Sequence, residues 1–401
     1  MKSVYDTKEK CCGCAACKQV CPTKSISMQE DDLGYIYPVI DREQCIDCKA
    51  CRKVCPLQEE VEPIKKEQIC YAYVNSDEKY RLKSASSGAF EALCTAFIKE
   101  KQEYSIYGCE LDNKLYAKHC SIHNINEIYK LKKSKYIQSY IDNEYTNVLK
   151  ELNEGKKVIF SGTPCQVAAL KKFLKKDFEN LLTIDFVCHG VPNQKIFSKY
   201  IAELEKKNHA KIKKYIFRNK RKLEQWSSHG IRIELDNGKI IELEAEEDLY
   251  MTGFLNGLFN RESCYKCKFA SLNRISDLTI GDFWGIDKIY PELAETKTNG
   301  TSLIIGNSIK GMQTIKRLDP DTLYLATLDD AIRENGQLRN PQEPNERRKI
   351  FLNAFRKNKK FSVCMRKAFP EKYGIRKEMI YQMKFYIELS KIKHYILDKV
   401  K

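Results

Sequence analysis

The sequence predicts two folded parts, a small α+β module at the N-terminus and a larger α/β domain with a mainly parallel sheet. Three observations support this: a cysteine spacing that occurs twice within residues 1–57, a charged segment at 58–69, and repeated strand–turn–helix patterns after residue 70. Strands that alternate with helices are typical of parallel sheets. We therefore expect domains at 1–57 and 70–330, a linker at 58–69 and a basic helical region at 331–401.

The duplicated spacing is C-x-x-C-x-x-C-x-x-x-C-P, with the cysteines at 11, 14, 17 and 21 and again at 45, 48, 51 and 55. This run is typical of bacterial ferredoxins with two [4Fe–4S] clusters, in which the fourth cysteine of each run ligates the other cluster. The spacing thus assigns one cluster to Cys11, Cys14, Cys17 and Cys55, and the other to Cys45, Cys48, Cys51 and Cys21. Cys12 is excluded, because only Cys11 gives the two-residue gap to Cys14.

Zinc and disulfide bonds are the alternatives for these cysteines. A zinc site closes with four ligands and does not use a third cysteine in register followed by Cys-Pro. Disulfides belong to oxidising compartments, and the opening MKSVYDTKEK has no apolar run typical of a signal peptide. No apolar stretch approaches the ~20 residues that a membrane-spanning helix needs. We therefore expect an anaerobic, cytoplasmic protein whose 18 cysteines are thiols and metal ligands.

The formal net charge of +16 comes largely from lysines along the chain. A solvated surface explains it, and nucleic-acid binding is not expected because no recognition motif accompanies the charge. Such a surface could also attract an acidic redox partner. Residues 376–400 predict a basic amphipathic helix, for which packing on the domain is favoured over binding to a membrane surface.

Local patterns predict the individual elements. Residues 25–40 alternate apolar and polar side chains around Asp32-Leu33-Gly34, which predicts a hairpin. Beyond the linker we expect a strand at 70–75, a helix after the serine-rich loop at 84–88, and two strand–turn–helix units that begin near 157 and 181. Asp236-Asn237-Gly238 predicts a second hairpin, and residues 277–286 contain a further strand.

Four other cysteines suggest a second metal centre. Cys165 and Cys188 each follow a predicted strand, at the sheet edge where open α/β folds bind ligands. Cys264 and Cys267 add a C-x-x-C pair on a loop. The four thiols suffice for a third [4Fe–4S] cluster, while a zinc site, a redox-active pair and inert cysteines remain alternatives. The six remaining cysteines are interpreted as small apolar fillers: Cys12, Cys70, Cys94, Cys109, Cys120 and Cys364.

Iron–sulfur clusters carry one electron at a time, so a two-electron substrate calls for an organic cofactor such as flavin. The loop Ser84-Ala85-Ser86-Ser87-Gly88 is the best candidate for binding its phosphates, because it lies at a helix start where anions are stabilised. An ordinary serine N-cap is the alternative interpretation.

Six motifs occur in an order that resembles one known family, the beta subunits of coenzyme F420-reducing hydrogenases and dehydrogenases and related flavin-binding oxidoreductases. They are SASSGAF (84–90), KKSKYIQS (132–139), SGTPCQVAAL (161–170), FVCHGVP (186–192), CYKCKFA (264–270) and SDLTIGDFWGI (276–286). The resemblance implies one FAD, a [4Fe–4S] cluster on the four cysteines above, and hydride exchange with a carrier or substrate. By motif, the flavin site would comprise Ser86, Ser87, Gly88, Lys135, Tyr136, Gln138, Ser139 and Asp282.

His189 and Asp282 are secondary candidates, which could equally orient a turn or a strand. His119 could touch the flavin, but a lone histidine before a strand or loop is more often structural. Where many members have two glycines after the serine pair, this chain has Gly88-Ala89, and we expect the small alanine to leave flavin binding intact.

The predicted function is that of an iron–sulfur flavoprotein oxidoreductase. Electrons from a redox partner protein or low-potential donor would pass through the clusters to a flavin that exchanges hydride with a small organic molecule. The alternative is a non-catalytic subunit that delivers electrons to a partner enzyme. No catalytic acid or base can be named, and nothing in the sequence identifies F420 itself as the carrier.

Overall fold

A computed structural model describes residues 3–64, 67–98, 102–220, 230–298 and 300–373. Its strands are β1 Ile26–Glu30, β2 Ile36–Ile40, β3 Ile69–Tyr73, β4 Tyr104–Leu111, β5 Ala117–Ile122, β6 Lys157–Ser161, β7 Leu181–Phe186, β8 Ile212–Asn219, β9 Gly230–Leu235, β10 Ile240–Leu243, β11 Leu278–Asp282, β12 Ser302–Gly306 and β13 Leu323–Ala326. Its α-helices are α1 Ala16–Gln19, α2 Ala50–Lys53, α3 Glu78–Leu82, α4 Ala89–Phe97, α5 Glu144–Asn153, α6 Pro164–Leu174, α7 Gln194–Asn208, α8 Leu249–Leu255, α9 Ile309–Ile315, α10 Leu328–Glu334, α11 Arg348–Arg356, α12 Phe361–Ala368 and α13 Pro370–Tyr373.

The N-terminal module contains the predicted hairpin and a repeated backbone. Strands β1 and β2 pair antiparallel, and Gly34 in their turn has a φ of 94°. The helices α1 and α2 each begin after a residue in the left-handed region, Ala15 and Lys49, both with a φ of 61°. A residue with a Cβ adopts this region only at a cost of roughly 1–2 kcal/mol. The backbone therefore repeats along with the cysteine spacing.

The large domain contains a sheet in the order β13-β3-β12-β11-β7-β6-β4-β5. The four strands β4, β6, β7 and β11 pair parallel to one another. The strands on both sides of them pair antiparallel. The α/β class is confirmed, but the parallel pairing is less extensive than predicted, because β4 and β5 form a hairpin and β12 returns beside β11. The strands β8, β9 and β10 form a separate antiparallel sheet, which contains the predicted second hairpin.

The N-terminal module packs directly on the large domain. Ala16 and Val54 belong to the same apolar core as Tyr145, Phe160 and Val167. On the other side, the aromatic residues of the hairpin, Tyr35 and Tyr37, join a core formed with β8, β9, α7, α8, α11 and α12. The cysteine runs thus lie against the large domain.

Among the described residues after 331, the chain contains the helices α11, α12 and α13, with a non-helical stretch before α11. The amphipathic helix predicted at 376–400 lies outside the described residues. In the part of the chain that the structure covers, no helix has the length and apolar character required to cross a membrane.

Candidate functional site

The eight N-terminal cysteines surround two separate cavities. Cys11, Cys14, Cys17 and Cys55 line one of them, together with Cys12. The other is lined by Cys21, Cys45, Cys48 and Cys51. The fourth cysteine of each run therefore lies with the first three of the other run, which is the grouping expected for two [4Fe–4S] clusters.

The two groups differ in their access to solvent. In the first group, Cys11, Cys14, Cys17 and Cys55 are each at most 9 % exposed. In the second group Cys48 is exposed, and the neighbouring Ile46 is 64 % exposed. The first group therefore faces the large domain, whereas the second reaches the protein surface.

The third set of cysteines is brought together from three parts of the chain. Cys165 lies in the first turn of α6, Cys188 follows β7, and the pair Cys264 and Cys267 lies on a loop. Burial and then the nearby thiols of Cys264, Cys165 and Cys267 raise the pKa of Cys188 well above its ordinary value. The four thiols are thus mutual neighbours, although 23 to 102 residues separate Cys165 from the other three in sequence.

Buried polar contacts hold the cysteine loop against the end of β7. Arg274 donates to the carbonyl oxygens of Phe269 (3.0 Å) and Ser271 (3.3 Å) and to the carboxylate of Asp185 on β7 (2.7 Å). Asn260 donates to the carbonyl oxygen of His189 at 3.2 Å, next to Cys188. Replacing either partner of a buried ion pair is strongly destabilising, so these contacts fix the position of Cys264 and Cys267 relative to Cys188.

Cys12 is not simply a filler. It is 7 % exposed, and its thiol interacts with the thiols of both Cys14 and Cys165. It therefore lies between the first N-terminal group and the third set. Of the other five cysteines interpreted as fillers, Cys70, Cys94 and Cys364 are buried, whereas Cys109 lines the large cavity described next and Cys120 is partly exposed.

A cavity of about 380 Å³ adjoins the third set of cysteines. It lies at the carboxyl ends of the parallel strands β6, β7 and β11, where open α/β sheets bind ligands. Cys165 and Cys188 line it on one side, and the serine-rich loop with the start of α4 lines another. Its volume is within the range of small-molecule sites, about 300–1,000 Å³.

The hydroxyls of the serine-rich loop support its backbone. Ser86 donates to the carbonyl oxygen of Thr301 (2.9 Å), and the hydroxyl of Ser87 accepts from the backbone N–H of Asn75 (2.8 Å). These hydroxyls are therefore engaged. The first-turn N–H groups of the nine-residue helix α4 have no acceptor within the helix, and are the groups at this loop suited to bind an anion.

Residues 132–139 line the cavity, but not all of their polar groups face it. The ammonium group of Lys135 donates to the carbonyl oxygens of Lys130, Leu131 and Lys132, and burial lowers its pKa to about 8. The ring of Tyr136 stacks on Phe254 at 4.8 Å between centroids. The hydroxyl of Ser139 accepts from the side-chain amide of Gln166 at 3.0 Å.

Gln138 connects the two parts of the chain. Its amide nitrogen donates to the carbonyl oxygen of Cys12 at 2.7 Å, and its amide oxygen accepts from Arg261 at 3.1 Å. Gln138 also lines the cavity, so the residue that the motif assigns to the flavin site also contacts Cys12, beside the first cysteine group.

Asp282 lines the cavity and forms an ion pair with Arg218, a second cavity residue. Its other oxygen, Oδ1, is buried and has no hydrogen-bond partner among the described residues. His189, also in the cavity wall, contacts the carbonyl oxygen of Leu255 at 3.3 Å, and burial lowers its pKa.

His119 presents a buried acceptor at the cavity. Its Nε2 lies 3.0 Å from the carbonyl oxygen of Ser161, which can only accept, so Nε2 carries the proton and Nδ1 is left as an acceptor. Nδ1 is buried and has no partner within the described part of the chain. Burial lowers the pKa of His119 to about 4, so that the ring is neutral near pH 7.

Because the pKa of His119 is lower in the folded chain than in the unfolded one, its contribution to stability is present above about pH 6.5 and is lost as the pH falls toward 4. We expect this histidine to lower the unfolding free energy by about 1.3 kcal/mol between pH 7.5 and 5.5. Urea unfolding of the wild type and His119→Gln at both pH values measures the difference. An equal pH dependence in His119→Gln and the wild type would contradict the assignment.

The residues present fit the groups that the sequence implies. Each predicted cluster has four thiols gathered from the expected positions. The cavity offers a helix start for phosphate and the unpartnered acceptors Nδ1 of His119 and Oδ1 of Asp282 for the N–H or O–H groups of a flavin. Among the described residues, no three His, Cys, Asp or Glu side chains lie close enough together to hold a single metal ion.

The sequence did not predict the contacts at the junction of the two parts. Cys12 is excluded as a ligand by its spacing, and Arg261 is a lone arginine in a loop, three residues before Cys264. Only the fold brings both beside the cysteine groups, so no local pattern distinguishes them.

The fold and the cysteine groups define an iron–sulfur protein of the electron-transfer class. Comparison with family models assigns the two parts. Residues 10–58 match the model of the 4Fe-4S dicluster domain, and residues 155–331 match the model of the C terminus of the coenzyme F420 hydrogenase/dehydrogenase beta subunit. The chain is thus related to the beta subunits of these hydrogenases. The segments with Ser86–Ser87–Gly88 and with Lys135 precede the matched range.

Other comparisons add little. A search of curated proteins finds no match. Among solved structures, the chain is similar to one from the xenon derivatization of the F420-reducing [NiFe] hydrogenase complex from Methanosarcina barkeri. The two chains are 14% identical with a TM-score of 0.42, and the similarity covers 78% of this chain and 94% of that one.

Proposed function

We propose that the protein is an oxidoreductase that connects three [4Fe–4S] clusters to an FAD in the cavity, and through it to hydride exchange with a small organic carrier or substrate. A flavin bound there would supply the conversion between one-electron and two-electron transfer. The observation that carries the proposal is the shared wall: Cys165 and Cys188 border the same cavity as the serine-rich loop.

The arrangement of the cysteine groups supports a continuous route. The second N-terminal group reaches the surface at Cys48, the first group is buried, and Cys12 interacts with Cys14 of the first group and Cys165 of the third set. A redox partner protein or donor would deliver electrons at Cys48, and the route would end at the cavity.

The side chains of the cavity would bind and orient the flavin. The start of α4 would take its phosphates, while His119 would accept a hydrogen bond from the cofactor. The ion pair of Arg218 and Asp282 leaves Oδ1 of Asp282 as a second acceptor. The direction of electron flow is set by the reduction potentials of the donor and acceptor rather than by these contacts.

Quantification of iron, sulfide and flavin in anaerobically purified protein tests the proposal. With four iron atoms per cubane, we expect about twelve iron atoms and one FAD per chain. A value of eight iron atoms per chain would show that the third cluster is absent. Absence of flavin would refute the proposal that the protein is a flavin-dependent oxidoreductase. A flavin-loaded protein that reduces no small acceptor until a partner protein is added would instead be an electron-delivery subunit.

A further inference from the structure

Arg261 is a buried cation that lacks a carboxylate. Its side chain is 0 % exposed, yet among the described residues it forms no ion pair. The other buried arginines each have one: Arg218 with Asp282, Arg274 with Asp185, and Arg348 with Glu262. A buried charge without a counter-charge is strongly destabilising. A negative group beside Arg261 would therefore stabilise the folded protein.

The contacts of the guanidinium point to that group. Nε donates to the carbonyl oxygen of Cys11 (2.7 Å), and Nη2 donates to that of Ile36 (2.7 Å). Nη1 donates to the amide oxygen of Gln138 (3.1 Å). Nη2 also lies 3.7 Å from the thiol sulfur of Cys11, and Tyr37 stacks against the guanidinium at 4.2 Å. Of the hydrogen-bond partners that the described residues provide to the guanidinium, only the thiol of Cys11 becomes negative, as a thiolate ligand of the first N-terminal cluster.

We propose that Arg261 is the counter-cation of the cluster held by Cys11, Cys14, Cys17 and Cys55, and that it raises the reduction potential of that cluster. The potential of an iron–sulfur cluster depends on its net charge and on hydrogen bonds to its sulfurs. A guanidinium held beside a ligand sulfur stabilises the reduced, more negative state. The proposal rests on the cluster ligands proposed above and does not require the flavin.

The position of Arg261 gives the charge a functional meaning. Its backbone carbonyl accepts from the N–H of Cys264 at 2.9 Å, and its own N–H donates to the carbonyl oxygen of Val191. One residue thus contacts ligands of the first N-terminal cluster and of the third. A positive charge there favours an electron at the junction of the two parts, on its way between the surface and the cavity.

Arg261→Met and Arg261→Lys in the full cluster-loaded chain test the proposal by redox titration followed by electron paramagnetic resonance. In Arg261→Met we expect one cluster to lose at least tenfold in its affinity for an electron. For a one-electron couple this lowers its midpoint potential by about 59 mV or more. Arg261→Lys keeps the charge and should stay within threefold of the wild type. Lys266→Gln is the matched control, because it removes a charge two residues from Cys264 that is 67 % exposed and screened by water; its midpoints should not change.

An iron-replete Arg261→Met with unchanged midpoints would overturn the proposal. If that variant loses iron, Arg261→Gln is titrated in its place, with the same criterion. If both Arg261→Met and Arg261→Gln lose only four of the twelve iron atoms, the proposal is supported, because the cluster without its cation is the one lost. If both variants lose the fold as a whole, Arg261 has a structural role and the proposal is refuted. If the wild-type protein contains twelve iron atoms and no flavin, the proposed function is refuted, but the redox titration still tests the role of Arg261.

Discussion

Replacement of Cys188 by alanine is expected to lower the iron content from about twelve to about eight atoms per chain, while the two N-terminal clusters persist. The reason is the distribution of the ligands. All eight N-terminal cysteines line their own two cavities, whereas Cys188 interacts with Cys165, Cys264 and Cys267. A cubane that loses one of four thiolates is expected to be lost as a whole.

The same change is expected to stop reduction of the bound flavin by the N-terminal clusters. Cys165 and Cys188 line the cavity, and Cys165 also interacts with Cys12 beside the first N-terminal group, so the third cluster would be the step between that group and the flavin. Stopped-flow mixing of the oxidised, flavin-loaded protein with dithionite, followed at the flavin absorbance, measures this step. Cys94→Ala is the control, since Cys94 is a buried thiol in α4 and is not one of the four cysteines of the third set. Twelve iron atoms in Cys188→Ala would exclude Cys188 as a ligand.

Some parts of the site could be predicted from the sequence in more detail than others. The two N-terminal cysteine groups follow from local spacing, because each run supplies three neighbouring thiols and only the fourth comes from the other run. The third set was grouped from two strand ends and a C-x-x-C pair, but its assignment to a cluster rested on the family resemblance, since its members meet only through β6, β7 and the segment that Arg274 holds. The extent of parallel pairing was overestimated, because a hairpin and a crossover strand give similar apolar runs.

Some roles were beyond reach of any local pattern. Gln138 was predicted in the flavin site from its motif, yet its amide group spans Cys12 and Arg261. The hydroxyls of Ser86 and Ser87 were expected to face a phosphate, and they hold the loop to its neighbours at Thr301 and Asn75 instead. In both cases the side chain could be placed only after the neighbouring strands and the N-terminal module were in position.

Gly88→Ala is expected to abolish or severely weaken flavin binding while leaving the iron content unchanged. Gly88 has a φ of 93° and precedes α4 at the cavity. A Cβ there would lie 2.4 Å from Cε1 of Tyr80 and 3.1 Å from the hydroxyl of Ser84. The backbone strain costs roughly 1–2 kcal/mol, and the clash with Tyr80 adds to it. The loop and the helix start must therefore shift, and with them the N–H groups suited to bind phosphate.

Gly155→Ala is the control that separates the effect of backbone strain from the effect of a steric clash at the cavity. Gly155 has a φ of 80°, and a Cβ there would meet nothing within 4 Å, so the substitution carries the strain without a clash. Flavin titration by fluorescence quenching and iron analysis on both variants give the comparison. We expect Gly155→Ala to bind flavin as the wild type does, and Gly88→Ala to bind at least tenfold more weakly with about twelve iron atoms retained. If Gly88→Ala binds flavin as tightly as the wild type, the start of α4 does not hold the cofactor, because Gly88 is the one of these two glycines that lines the cavity.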